Sequence, residues 1–60
     1  KTYHVTAFSP SGEKLLDETF EAANDAEAKR IGEQILREKN LWETTHRVVS
    51  PKGELILFHS

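Results

Sequence analysis

The stretch Asn24–Leu41, which reads NDAEAKRIGEQILREKNL, constrains the fold most, because its sequence marks a helix at both ends. Asn24 can accept a hydrogen bond from the amide of Glu27, and Glu27 can reach back toward Asn24, as in a capping box. At the other end, Asn40 can adopt the left-handed conformation that closes a Schellman motif. The sequence therefore predicts one helix between these two caps.

One side of this predicted helix is apolar. Its small and apolar residues recur every three or four positions, which places them in one buried stripe; they are Ala28, Ile31, Gly32, Ile35 and Leu36. The other positions are mostly charges of both signs, as is typical of a helix face in water. Because Gly32 costs about 1 kcal/mol relative to alanine within a helix, we expect the helix to approach its neighbours closely there.

Two similar segments, FSPSGEKLL and VSPKGELIL, flank the helix. In each segment, proline fixes the backbone angle φ at the second position of a type I turn. Glycine accepts the left-handed conformation that closes a hairpin with a bulge. The sequence therefore predicts two β-hairpins. Their four strands are expected near Thr2–Ser9, Lys14–Glu21, Thr44–Ser50 and Leu55–His59. Shared turn chemistry explains most of the similarity, so we infer no duplication.

Together these elements predict an α+β fold in the order ββαββ, with a four-stranded sheet from two hairpins and one helix packed across one face. Sixty residues are enough for one small two-layer domain, residues 1–60. Placing the most apolar strands at the centre predicts the strand order 2-1-4-3, with the first and fourth strands parallel. An antiparallel order such as 1-2-4-3 is the alternative.

The turns also predict which side chains share a face of the sheet. Counting outward from each turn places Ala7 beside Leu15, and Val48 beside Ile56. The helix would then cover Tyr3, Val5, Ala7, Leu15, Val48, Ile56 and Phe58. The opposite face would hold His4, Thr6, Phe8, Leu16, Arg47, Val49, Leu55, Leu57 and His59.

One helix cannot cover both faces of such a sheet, so we expect an exposed apolar patch, which usually marks an interaction surface. The candidate interface residues are Phe8, Leu16, Arg47, Val49, Leu55 and Leu57. A homodimer or another protein partner is the corresponding prediction. Alternatively, Trp42 and the long side chains of Lys14 and Arg47 could cover part of this face within one chain.

The composition narrows the classes of partner. Eight Lys and Arg residues against ten Asp and Glu give a net charge of −2, and without a basic stripe nucleic acid is an unlikely main partner. The longest apolar run, Leu55–Phe58, is too short to span a bilayer, so no membrane partner is expected. The absence of cysteine excludes disulfides and thiolate metal sites, and it favours a cytoplasmic location.

No motif predicts chemistry, so we expect neither an enzyme nor a bound cofactor. Asp17 and Glu18 are adjacent on a strand and point to opposite faces, which suits no paired-carboxylate mechanism. His4 and His59 would share the uncovered face, with Glu18 nearby, but their spacing matches no metal-ligand motif, and no metal site is predicted. The serines are explained by the turns; they are Ser9, Ser11 and Ser50.

The segments HVTAFSPSGEKLLDETFEAANDAEAKRIGE and LILFHS resemble the YhzD-like family of short, uncharacterised proteins of Bacillus and related bacteria. The resemblance extends over essentially the whole chain. It implies a bacterial cytosolic protein and brings no catalytic or binding residue. Two functions stay open: a non-enzymatic interaction module that self-associates through the uncovered sheet face or an edge strand, and a weak nucleic-acid-binding domain that uses Phe8 and Arg47.

Overall fold

The computed structural model describes all 60 residues and contains one helix and four strands, in the predicted order ββαββ. The helix lies on one face of the sheet, so the predicted two-layer α+β fold is confirmed. The single helix is both too short and too polar to cross a membrane. The elements are β1 (Thr2–Phe8), β2 (Lys14–Glu21), α1 (Asp25–Glu38), β3 (Thr45–Val49) and β4 (Leu55–His59).

The strand order is β2-β1-β3-β4, and every neighbouring pair is antiparallel. The predicted order 2-1-4-3 and the alternative 1-2-4-3 are therefore both wrong. β1 pairs antiparallel with β3 instead of parallel with β4, and antiparallel pairing is slightly the more stable of the two per residue. As a result the apolar strand β4 lies at an edge of the sheet and not at its centre.

The first hairpin contains a β-bulge close to its turn. Phe8 pairs with Lys14 as predicted, but Ala7 pairs with Leu16 and not with Leu15. Leu15 is the extra residue, and it moves the rest of β2 by one position relative to the predicted register. Because side chains alternate along a strand, every later residue of β2 changes face.

The second hairpin has the same irregularity at the equivalent place. Val49 pairs with Leu55 as predicted, whereas Val48 pairs with Leu57 and not with Ile56. Ile56 is the extra residue here, so the remainder of β4 also lies on the opposite face from that predicted. The similarity of the two hairpin sequences thus extends from the turns to their bulges.

The hydrophobic core lies between α1 and the face of the sheet beneath it. Gly32 is at its closest point, since a Cβ atom on this residue would lie 2.8 Å from Cγ2 of Val48. This confirms the predicted close approach of the helix to the sheet. The buried apolar residues are Tyr3, Val5, Ala7, Leu16, Ala22, Ala28, Leu36 and Val48.

The helix begins and ends as the sequence predicts. The amide of Glu27 donates to Oδ1 of Asn24 at 2.8 Å, and the Glu27 carboxylate accepts from the amide of Ala23 at 2.7 Å, one residue earlier than in a capping box. At the other end Asn40 has φ 59°, and the amide of Leu41 donates back into the last turn. This is the Schellman arrangement.

Candidate interaction surface

The face of the sheet away from α1, here called the open face, is apolar on one side and polar on the other. Its apolar side comes from β3 and β4, where Val49 pairs with Leu55, and Phe58 lies opposite Arg47. Leu55 is 54% exposed and Phe58 is 53% exposed. Exposed apolar side chains in one cluster are more informative than single ones, because such patches often mark interaction surfaces.

Four of the predicted interface residues lie on the open face: Phe8, Arg47, Val49 and Leu55. Leu16 and Leu57 do not, so their predicted placement is wrong. Leu16 is only 6% exposed and belongs to the core, while Leu57 is half-buried and packs against the core. Both residues follow a bulge, and the bulge turns them toward the helix.

The sequence prediction missed Phe58. The predicted register places this residue beneath the helix, but the structure places it on the open face opposite Arg47. One signal for such a shift is the run Leu55–Phe58, in which four consecutive large apolar residues show no alternation. A strand without alternation leaves its register undetermined by sequence pattern.

The two edges of the sheet differ sharply in charge. The β2 edge carries the exposed carboxylates of Asp17, Glu18 and Glu21. The β4 edge has the sequence LILFH and contains no Asp, Glu, Lys or Arg. Charged side chains on an edge strand discourage pairing with another chain, and the β4 edge lacks them.

The polar side of the open face contains a small ion-pair cluster. The Asp17 carboxylate interacts with the ring of His4 and with Nζ of Lys14, the latter at 2.9 Å. These contacts, His4 first and Lys14 second, hold the pKa of Asp17 below its usual range. All three side chains are exposed, so the cluster contributes little to stability.

A second cluster, which we call the Trp42 stack, lies on the helix-covered face of the sheet, where β3 begins and β4 ends. It contains Arg37, Trp42, His46 and His59. The ring centroids of Trp42 and His46 are 4.8 Å apart, those of His46 and His59 are 5.4 Å apart, and Cζ of Arg37 lies 4.8 Å from the Trp42 ring. His46 is buried, and its Nδ1 donates to the carbonyl of Thr44 at 2.9 Å.

The histidines are not arranged as the predicted register has them. His4 lies on the open face beside Asp17, while His59 lies on the helix-covered face beside His46. The prediction that His4 and His59 share one face is therefore wrong, and the β4 bulge is the reason. No group of three or more His, Cys, Asp or Glu side chains is placed to hold a metal ion.

The surface cavities are small. The largest, of about 240 Å³, lies beside the hydrogen bond at 2.6 Å from the Tyr3 hydroxyl to Asp25, which raises the pKa of Tyr3 to about 12. Another, of about 180 Å³, borders the Trp42 stack. Sites for small molecules usually enclose about 300–1,000 Å³, so these cavities offer less room than is usual for a cofactor or substrate.

Comparison with known proteins places the chain in a family. The model of a family described as "YhzD-like protein" matches residues 1–60. The chain belongs to the YhzD-like family. The resemblance stated from the sequence is thus confirmed over the whole chain.

Among relatives in this family, the "Uncharacterized protein YhzD" of Bacillus subtilis (strain 168) is 51% identical over 57 residues, which cover 95% of this chain and 93% of the relative. No solved structure matches the chain. The chain is accordingly a small bacterial YhzD-like protein, and its relative's name assigns no activity that could be transferred. The cytoplasmic location stays a prediction.

Proposed function

We propose that this protein is a non-enzymatic interaction module that forms a homodimer through the edge strand β4. In the dimer, β4 of one copy pairs antiparallel with β4 of the second copy, so the two sheets become one continuous sheet. One observation supports this most strongly: β4 is an uncharged edge strand on which Leu55 and Phe58 are more than half exposed.

A second copy of the chain is the partner that suits this edge. A two-fold interface uses the same surface on both subunits, so that surface must complement itself. The uncharged, apolar β4 edge meets this condition. The β2 edge instead carries charged side chains and their ion pairs, and charged side chains on an edge strand discourage pairing with another chain.

The small core favours the same conclusion. Only 11 of the 60 residues are buried, so a large part of the apolar surface stays in water within one chain. Complete burial of a leucine or phenylalanine side chain contributes about 1.5–3 kcal/mol. Leu55 and Phe58 are already about half-buried, so covering the rest of them in two copies would add at most about half of this free energy for each side chain.

Sedimentation velocity from low to high micromolar concentration tests the dimer. We expect a particle of twice the 6.8 kDa chain mass, and we expect Leu55→Lys to make the protein monomeric. Lysine on an edge strand opposes pairing, although it reduces the net negative charge that would repel two copies. A parent protein that stays monomeric at high micromolar concentration contradicts the proposal.

Leu15→Lys is the matched control. Leu15 is also an exposed leucine, 43% accessible, at the bulge of a hairpin, but it lies on the opposite edge strand β2. This variant should keep the dimer while Leu55→Lys loses it. Equal dissociation by both variants would mean that lysine acts through general destabilisation and not through the β4 edge.

The second candidate function is weak binding of single-stranded nucleic acid by the open face. Arg47 is exposed, takes part in none of the ion pairs of the chain, and lies opposite the exposed ring of Phe58, with Phe8 on the same face. Aromatic rings stack bases, and a nearby arginine attracts phosphate. Titration with single-stranded DNA at low salt tests this: binding that is lost in Arg47→Gln supports it, and no binding rejects it.

A further inference from the structure

His46 and His59 form a pair between two neighbouring strands. They are direct partners in the β3–β4 register, on the helix-covered face, with ring centroids 5.4 Å apart. His46 is only 1% exposed. Trp42 stacks on His46 at 4.8 Å, so the buried imidazole contacts the indole and the second imidazole. The pair links the last residue of β4 to the connection between α1 and β3.

The surroundings of His46 offer it no buried carboxylate. β1 presents Ala7 as its cross-strand neighbour, and β4 presents His59. From α1, the positive Arg37 lies over the Trp42 ring and forms its ion pair with Glu33 at 2.7 Å. A second acidic group, Glu43, is exposed and lines the cavity of about 180 Å³ beside both imidazoles.

We propose that protonation of His46 below neutral pH loosens its contacts with Trp42 and with His59 at the end of β4, and thereby dissociates the β4 dimer. A buried imidazolium loses its hydration, so the charged ring is disfavoured between these two neighbours. The effect on Trp42 concerns a single chain, whereas the effect on association rests on the proposed homodimer. The association would then be regulated by pH through the contact of His46 with a residue of the interface strand.

The direction of the effect follows from linkage. Burial, as the largest cause, and the charge of His59 lower the pKa of His46 below its ordinary value of about 6.5. Between the folded and unfolded pKa values the unfolded chain therefore binds more protons, so stability falls as the pH falls. The contribution of neutral His46 to stability is fully present above pH 6.5. It is lost as the pH drops through the lower pKa that His46 has in the folded chain.

The experiment follows the single tryptophan and the mass of the particle together. Trp42 emission and sedimentation are measured between about pH 7.5 and pH 5 in the parent protein and in the monomeric Leu55→Lys variant. We expect one transition of Trp42 emission with its midpoint below pH 6.5, in both proteins. In the parent, each dimer holds two copies of His46, so the dissociation constant of the dimer should rise by up to about a hundredfold for each unit of pH within that transition.

Three histidine variants separate the proposed pair from general acid effects. His46→Phe keeps a ring beside Trp42 but cannot be protonated, so its emission should stay constant over the same range. His59→Gln, a milder change at an exposed residue, removes the neighbouring charge that lowers the pKa of His46, so it should move the transition to higher pH. His4→Gln is the matched control, because His4 is an exposed histidine on the open face, and it should leave the transition unchanged.

The outcomes distinguish this inference from the homodimer itself. A parent dimer with no change in mass or Trp42 emission down to pH 5 overturns the inference alone. A monomeric parent that still shows the Trp42 transition overturns the homodimer and its regulation, but supports the pH-sensitive contact. An unchanged transition in both His46→Phe and His59→Gln overturns the role of the pair.

Discussion

At the scale of single residues, the contact between Gly32 and Val48 sets how closely the helix lies on the sheet. A Cβ atom at position 32 would come within 2.8 Å of Cγ2 of Val48, a side chain that is fully buried. Valine is branched at Cβ and has few rotamers into which it could withdraw. The glycine is therefore required by packing, even though it weakens the helix itself.

Gly32→Ala should destabilise the protein by up to about 2 kcal/mol. Overpacking of a core costs about 1–3 kcal/mol, and the better helix propensity of alanine returns about 1 kcal/mol at most. Urea unfolding measures the change. The double variant Gly32→Ala/Val48→Ala should recover part of the loss, because the new methyl group then occupies space left by valine. A Gly32→Ala protein more stable than the parent would show that the sheet moves away readily.

At the scale of secondary-structure elements, the two bulges decide which side chains reach the core. In β2 the bulge leaves Leu15 exposed and turns Leu16 inward, although the two leucines are adjacent. The equivalent bulge in β4 turns Leu57 inward. An extra residue near a turn thus determines the composition of both faces of the sheet.

Leu16→Ala and Leu15→Ala test this register directly. Leu16→Ala should lower the free energy of unfolding by about 2–5 kcal/mol, because it creates a cavity in the core. Leu15→Ala should change it by less than about 0.5 kcal/mol, as expected for a surface position. Chemical denaturation of the two single variants and of the parent measures both free energies of unfolding. A larger loss of unfolding free energy in Leu15→Ala than in Leu16→Ala would instead support the register without a bulge.

The features that were predictable from sequence depend on neighbouring residues. The cap at Asn24, the left-handed Asn40 and both Ser-Pro-X-Gly-Glu turns are local chemistry, and the structure contains all of them. The placement of Phe8, Val49 and Leu55 was correct because they lie next to the turns, before the bulges take effect.

The remaining features depend on distant contacts or on a choice between equivalent side chains. Leu15 and Leu16 are chemically identical, so hydrophobic pattern cannot tell which one faces inward. The pairing of β1 with β3 joins two hairpins that have no local sequence link. The contact of His46 with His59 was missed for the same reason, since it requires the β4 bulge.

At the scale of the whole molecule, the sheet has one charged edge, β2, and one uncharged edge, β4. A strand of another chain can therefore be added more easily at β4. Pairing through β4 would leave the acidic β2 strands as the two outer edges of the dimer. Acidic edges resist further addition of strands, so assembly should stop at two copies. The same charge pattern would thus permit the dimer and prevent longer aggregates.

If the dimer forms, the melting temperature should depend on protein concentration. A hundredfold increase adds about 2.7 kcal/mol per dimer. For chains of this size that corresponds to an increase in Tm of roughly 5–10 °C. Calorimetry at several concentrations measures it, with Leu55→Lys as the reference whose Tm should stay constant. A concentration-independent Tm in the parent would indicate unfolding from the monomer.

The central pairing of β1 with β3 also determines when the chain can fold. Val5 lies opposite Val48, so the middle of the sheet joins residues separated by most of the chain. Each hairpin closes a short loop, and so does the helix, but the β1–β3 contact has a high contact order and should limit the folding rate. During synthesis, the first hairpin must therefore wait with one side of its inner strand unpaired until β3 has been made.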